Sequence, residues 1–253
     1  MENRYYSPAL QELPTEFVGT LPLNGIELNI YNGIWRAVIE GRLKPGSKLK
    51  EETICEIYGV SRTVVRKVFI IMAQLGILVL PQNKGAFIAT ITREEAKDVL
   101  DAIRLIISHV VFSLASPTTK LSEDAHRRIA LHLRAQAEAE KIGDPALSRM
   151  LSAEFRLLLT LIHGNHILSS EFDSLRTRMG LAVASFYHGY VQPNRSKFQA
   201  ELVDLIIQHR QTDAVSAIRG LYDEAERRMN MNDASFEEDT FSDIVSQYNY
   251  LKS

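Results

Sequence analysis

The chain has 253 residues, of which 45% are apolar and 24% charged, with a formal net charge of −2. That length suits two domains with a sizeable core, and no window approaches the roughly 18 uninterrupted apolar residues of a membrane helix. The single cysteine, Cys55, excludes an internal disulfide and a zinc site built from several thiolates; it reads as a small apolar residue on a helix.

The start, MENRYYSPALQELP, has no basic segment followed by an apolar one, so no secretory signal is read and a cytoplasmic protein is expected. Residues 1–24 carry three prolines and little periodicity, which predicts a flexible arm. From Glu27 to Glu40, Ile30, Ile34 and Val38 recur every fourth residue with Trp35 beside them, and Gly41 ends the pattern, so a first helix is expected. GRLKPGSKL then reads as a loop turning at Pro45-Gly46. A short helix over Glu51–Tyr58 follows, with Ile54 and Ile57 inward.

The stretch GVSRTVVRKVFIIMAQLG, from Gly59 to Gly76, has two chemically opposite faces. At about 100° per residue, Val65, Val68, Phe69, Met72 and Leu75 fall on one stripe, and Arg62, Thr63, Arg66 and Lys67 nearly opposite. Ser61 is placed to cap this helix and Gly76 to stop it. Two apolar runs, ILVL and AFIATI, are joined by a loop containing Asn83, Lys84 and Gly85, which predicts a β-hairpin. Three helices followed by a hairpin describe a winged helix-turn-helix over residues 25–92. Within it basic residues outnumber acids by nine to five, a local patch suited to phosphate even though the whole chain is slightly acidic.

The remainder is helical in pattern. Thr92 with Glu95 forms a capping box opening a helix to about Ser116. Further helices are expected over 122–142, 145–163, 166–188, 197–210 and 212–231, making a six-helix bundle of residues 93–231. A tail, 232–253, contains a weak amphipathic segment with Phe241, Ile244 and Val245. The fold class is therefore mostly α: an N-terminal winged helix-turn-helix domain plus a C-terminal all-helical bundle. No glycine-rich phosphate loop and no nucleophile elbow is present, so an enzyme is not expected.

The runs GRLKPGSKL, GVSRTVVRKVFIIMAQLGIL and KGAFIATI resemble the N-terminal domain of GntR-type bacterial transcription regulators. The helical part resembles the ligand-sensing FCD domain of their FadR subgroup, the likeness covering about Asn29 to Met231. The resemblance implies a homodimer on a palindromic double-stranded DNA operator, with a small-molecule effector, no membrane partner, and repression as the family's commoner mode. The reading of the residues assigns Arg62 and Arg66 as bidentate candidates for guanine. Ser61 and Thr63 suit phosphate or thymine methyl, and Lys50, Lys67 and Lys84 suit phosphate, with Asn83 and Gly85 at the wing tip. The sequence departs from the family at Val64, commonly proline, at Lys67, commonly glutamate, and at Glu52, where some relatives use an arginine.

Many FCD domains hold a divalent metal through one Asp and three His. Aligning Phe155 and Gly164-Asn165 with the family motif places Ser152, Arg156, Leu202 and Glu224 at those positions, a set that cannot hold zinc or nickel, so no metal and no other cofactor is expected. Arg156 offers a replacement, either gripping a carboxylate effector directly or pairing with Glu224 inside the bundle. Arg104, Arg176 and Arg178, with Ser152, are further effector-binding candidates. The leading function is a ligand-responsive regulator, and the alternative is a constitutive or partner-controlled DNA-binding protein whose pocket is degenerate. His163 and His166, flanking Gly164-Asn165, read as helix-end residues, and Phe186, Tyr187 and Tyr190 as packing aromatics.

Overall fold

The computed structural model describes residues 4–12, 21–186, 194–231, 246, 247 and 249. The N-terminal domain contains α2 (Gly25–Ile39), β1 (Lys48–Leu49), α3 (Glu51–Tyr58), α4 (Arg62–Gln74), β2 (Leu78–Val79) and β3 (Ala86–Ile88), after a short α1 (Pro8–Gln11). The four-residue periodicity of α2 buries Ile30, Ile34 and Val38 together with Val65, Val68, Phe69 and Met72 of α4. Gly59 and Gly76 take positive φ values of 67° and 74°, which lets the chain leave α3 and α4 in tight turns. Ser61 occupies the N-cap position of α4 but makes no side-chain capping bond.

The expected hairpin forms, with Leu78 opposite Ile88 and Val79 opposite Phe87. The loop reading of GRLKPGSKL needs correction at its end, because Lys48 and Leu49 pair with Phe87 and Ala86 as β1, giving a sheet of order β1-β3-β2. Two residues are too short for a period-2 signal, and only the edge of β3 gives them their bonds.

The bundle is α5 (Arg93–Leu114), α6 (Glu123–Lys141), α7 (Pro145–His163), α8 (His166–Phe186), α9 (Arg195–Ile207) and α10 (Gln211–Met231). Thr92 and Glu95 form the capping box at its entrance, with the Glu95 N–H donating to Thr92 Oγ1 at 3.1 Å and the Thr92 N–H to Glu95 at 2.9 Å. Helix α9 stops before the expected Arg210, since His209 adopts φ 56° and the chain turns there into α10. The segment Phe241–Val245, and Tyr187 and Tyr190, lie outside the described residues. Beyond that segment, the Asn249 side chain donates to Ile57 O at 2.8 Å and accepts from Asn29 Nδ2 at 3.2 Å.

The expectation of a flexible arm does not describe residues 4–12. Tyr5, Ser7, Ala9 and Leu10 are buried against the bundle. The Tyr6 and Ser7 backbone N–H groups donate to the Glu154 carboxylate at 3.1 and 2.7 Å, and Tyr5 Oη donates to Asp173 at 2.9 Å. These partners lie more than 140 residues away, so a local reading of a proline-containing segment has no means of finding them.

The two domains share apolar packing. Ala146, Met150, Leu181 and Ala184 of α7 and α8 belong to the same buried cluster as α2 and α4. This seam sets the position of α4 relative to the bundle.

Candidate nucleic-acid interface and bundle cavity

The outward face of α4 carries the expected cations. Arg62 and Arg66 are 59% and 61% exposed at their side chains. Arg62 pairs with Glu52, Arg66 Nε lies 3.0 Å from Glu51, and Lys67 Nζ lies 2.6 Å from Glu27. Exposed ion pairs of this kind contribute about 0 to 1 kcal/mol, so a phosphate or a guanine edge can replace each glutamate at little cost. Ser61, Thr63, Lys50 and the wing-tip residues Asn83, Lys84 and Gly85 are exposed as well. Asn83 and Gly85 take φ 58° and 89°, a left-handed tip that asparagine and glycine tolerate.

A cavity of about 160 Å³ opens in the bundle, several waters' worth of space at roughly 30 Å³ each. Ser152, Arg156, Arg176 and Glu224, all expected effector residues, lie in its wall. Arg104 and Arg178 do not. Arg104 instead joins α5 to α10 through Glu226 at 2.9 Å and Asp223 at 3.3 Å, and Arg178 is exposed. The pairing of Arg156 with Glu224 is absent: Glu224 engages Arg227 and Arg228 on its own helix, one turn away. Arg156 reaches Ser152 Oγ, at 3.4 Å, and stands 5.9 Å from the Tyr222 ring centroid, where it also acts on the Tyr222 hydroxyl. Among the described residues it has no ion pair.

The polar groups around it are tuned by burial. Among the described residues no hydrogen bond of ordinary geometry reaches the buried Tyr222 hydroxyl, and burial raises its pKa against the opposing influence of Arg156 and Arg104. His132 is pushed down to about 3 by burial and then by Arg156, so its imidazole is neutral, and its Nδ1 meets Ser7 Oγ at 2.8 Å. Deeper in, burial opposes ionisation of Asp173, but the guanidinium groups of Arg176 and Arg4 outweigh it and hold the carboxyl below its ordinary range. Arg176 is thereby committed to Asp173, at 2.7 Å, rather than available to an anion.

The positions aligned with family metal ligands hold Ser152, Arg156, Leu202 and Glu224, and Leu202 is 1% exposed in the core. One carboxylate beside a guanidinium, a hydroxyl and an alkyl group does not fit a divalent cation. Sequence reading missed most of the lining, including the polar residues Tyr222, Arg149 and Arg195, and read Trp35 and Ile39 only as part of the first helix. The lone tryptophan was visible in the sequence, but its contact with the bundle was not.

Residues 27–88 match the family model for bacterial regulatory proteins, gntR family. The chain is similar to the HTH-type transcriptional regulator LutR of Bacillus subtilis (strain 168), 30% identical over 115 residues, covering 45% of this chain and 52% of that protein. It is also 21% identical over 145 residues to the HTH-type transcriptional regulator YdhC of the same organism, covering 55% of this chain and 62% of that one. The chain thus spans less than two thirds of the length of these relatives. In fold it resembles a GntR regulator from Rhodococcus sp. RHA1, with TM-score 0.68 and 18% identity over 82% of this chain and 99% of the other. E. coli McbR/YncC is similar at TM-score 0.66 and 16% identity, covering 83% and 99%.

Proposed function

We propose that this chain, whose N-terminal domain is a winged helix-turn-helix of the GntR family, is a ligand-responsive transcription regulator released from DNA by a small organic acid or another anionic metabolite. One observation carries the reading. A helix whose cations all face solvent is joined in one chain to a cavity holding a guanidinium, Arg156, with no acid partner among the described residues. The first is an electrostatic footprint for DNA; the second leaves a place for a carboxylate's negative charge.

The protein acts as a homodimer on a palindromic operator, with two copies of α4 in successive major grooves about 34 Å apart. In support, α5 exposes Leu105 at 75% and Phe112 at 51%, seven residues apart on one face, the kind of apolar patch that marks an interface. We assign α5–α10 as an FCD-like sensing domain of the FadR type that works without its metal. Effector binding changes the relative orientation of the reading heads, and a coupling of about 1 to 3 kcal/mol suffices.

The test selects duplexes from random DNA with the full chain, then compares Arg66→Ala with the parent on the selected site. Unchanged affinity in the variant would sink the placement of α4 in the groove. Thermal shift across a panel of organic acids tests the sensing half, since a ligand that binds only the folded state raises Tm by mass action. No shift with any member favours a constitutive or partner-controlled DNA-binding protein.

A further inference from the structure

The cavity is not enclosed by the bundle alone. Its wall on one side is Trp35 and Ile39 of α2, the first helix of the DNA-binding domain, facing Met179, Gly180 and Val183 of α8. Gly180 sits inside a helix, where glycine costs about 1 kcal/mol relative to alanine. Its reason is the indole lying over it: a Cβ at Gly180 would stand 2.5 and 2.6 Å from Trp35 Cη2 and Cζ2, and 3.0 Å from Ile39 Cδ1. Arg149 of α7 donates to Ile39 O at 2.8 Å, satisfying a carbonyl at the end of α2, and Arg36 of α2 pairs with Asp144 at the start of α7. On its other flank α2 packs on α4, and its Glu27 holds Lys67. A shift of α2 against α7 and α8 therefore carries the reading helix with it.

We propose that the cavity is an interdomain site for an amphipathic monoanion, whose carboxylate meets Arg156 and whose apolar body rests against Trp35, making Trp35 the residue through which the ligand moves the DNA-binding domain. The inference rests on the reading of this cavity as an effector site and adds the ligand class and the contact that transmits it. The class follows from the wall. Four guanidinium groups line the wall: Arg176 is committed to Asp173, Arg149 donates to Ile39 O and Arg195 is engaged as well. That leaves Arg156 as the cation without an ion pair among the described residues, beside the Tyr222 hydroxyl and side chains such as Leu100, Phe172 and Val183. A second or third carboxylate would meet only guanidinium groups that are already engaged and would lie near Glu224, so its desolvation would go uncompensated.

Trp35 is the only tryptophan in the chain, so its fluorescence reports on this seam without labelling. The probes are phenylacetate and isovalerate as monoanions, with succinate and citrate as polyanions, all on the full chain at constant ionic strength. The expected result is saturable change in Trp35 emission and a raised Tm with a monoanion, absent with the polyanions and lost in Arg156→Gln. A polyanion acting in place of the monoanions overturns the ligand class. A raised Tm with unchanged Trp35 emission overturns the interdomain contact while leaving the effector reading intact. No response to any of the four overturns the amphipathic-monoanion assignment.

A second arm needs no ligand. Gly180→Ala pushes on the indole, and we expect it to change affinity for the selected duplex by about fivefold or more, the lower end of ordinary allosteric coupling. Adding Trp35→Phe should restore the parent affinity, which a general loss of fold would not. Unchanged affinity in a folded Gly180→Ala protein overturns the coupling role of Trp35 whatever the probes show, and so does a failure of Trp35→Phe to rescue it.

Discussion

The face of α4 and the interior of the bundle use the same residue types under opposite rules. On α4, Arg62, Arg66 and Lys67 each have a glutamate, yet the arginines are exposed, so water and salt screen the pairs and a phosphate can take over. In the bundle, Arg4, Arg176 and Asp173 are nearly out of reach of water, with side-chain exposures of 6%, 12% and 11%. There each charge depends on its partner, because leaving one alone exacts the full desolvation cost. A paired surface arginine is thus available to a ligand, whereas a paired interior arginine is not. The interior cation to watch is Arg156, which has no acid partner among the described residues.

The contrast can be broken first at its buried end. Asp173→Ala leaves Arg4 and Arg176 facing one another without their shared acid, and it should lower stability by about 3 to 5 kcal/mol in urea unfolding. A loss below about 1 kcal/mol would mean the cluster behaves like the surface of α4. Next comes pH. Burial pushes the Glu154 carboxyl from 4.5 up to about 7, despite the N–H groups of Tyr6 and Ser7 that favour its charge. A carboxyl with a raised folded pKa binds its proton more tightly when folded, so its contribution is full below about 4.5 and is lost as pH rises towards and past 7. Stability should fall by up to about 3 kcal/mol across that window. Glu154→Gln should flatten the profile there, measured by denaturant midpoints at pH 5, 6, 7 and 8. Asp173 works in the opposite sense, its contribution being lost only as pH falls below the ordinary carboxylate range.

The exposed end gives smaller effects. Arg66→Ala should weaken binding to the selected duplex by about 1 to 3 kcal/mol and relax its specificity, with fold stability changed by no more than about 0.5 kcal/mol. Glu52→Gln frees Arg62 and should strengthen DNA binding, again with stability unchanged within about 0.5 kcal/mol, as read by salt-dependent gel shift and thermal unfolding. The smallest is Lys84→Ala at the wing tip, which should weaken binding evenly across sequences and lower the salt slope by about one.

Much of the winged helix-turn-helix domain was legible along the chain because its signals are local. The spacing of Ile30, Ile34 and Val38, the glycines at 59 and 76, and the opposition of Val65, Val68 and Phe69 to Arg62 and Arg66 are all set within one or two helical turns. The same holds for the six bundle helices and the Thr92 capping box. The site in the bundle was legible only in part. Arg156 was singled out because it stands at a position aligned with a metal ligand, but its choice between a ligand and Glu224 depends on where the Glu224 side chain points, and Glu224 turns to Arg227 and Arg228. Arg104 was lost to acids on α10 for the same reason.

The sequence by itself determined the helices, the wing and the basic face of α4, since helical period, capping and turn chemistry act over a few residues. Tertiary structure alone decided that residues 4–12 are anchored by Glu154 and Asp173, that Lys48 and Leu49 make a strand, and that Trp35 of the N-terminal domain closes a cavity over Gly180. Each of these joins residues far apart in the chain. Their energies come from burial and partner geometry, which exist only once the two domains have packed.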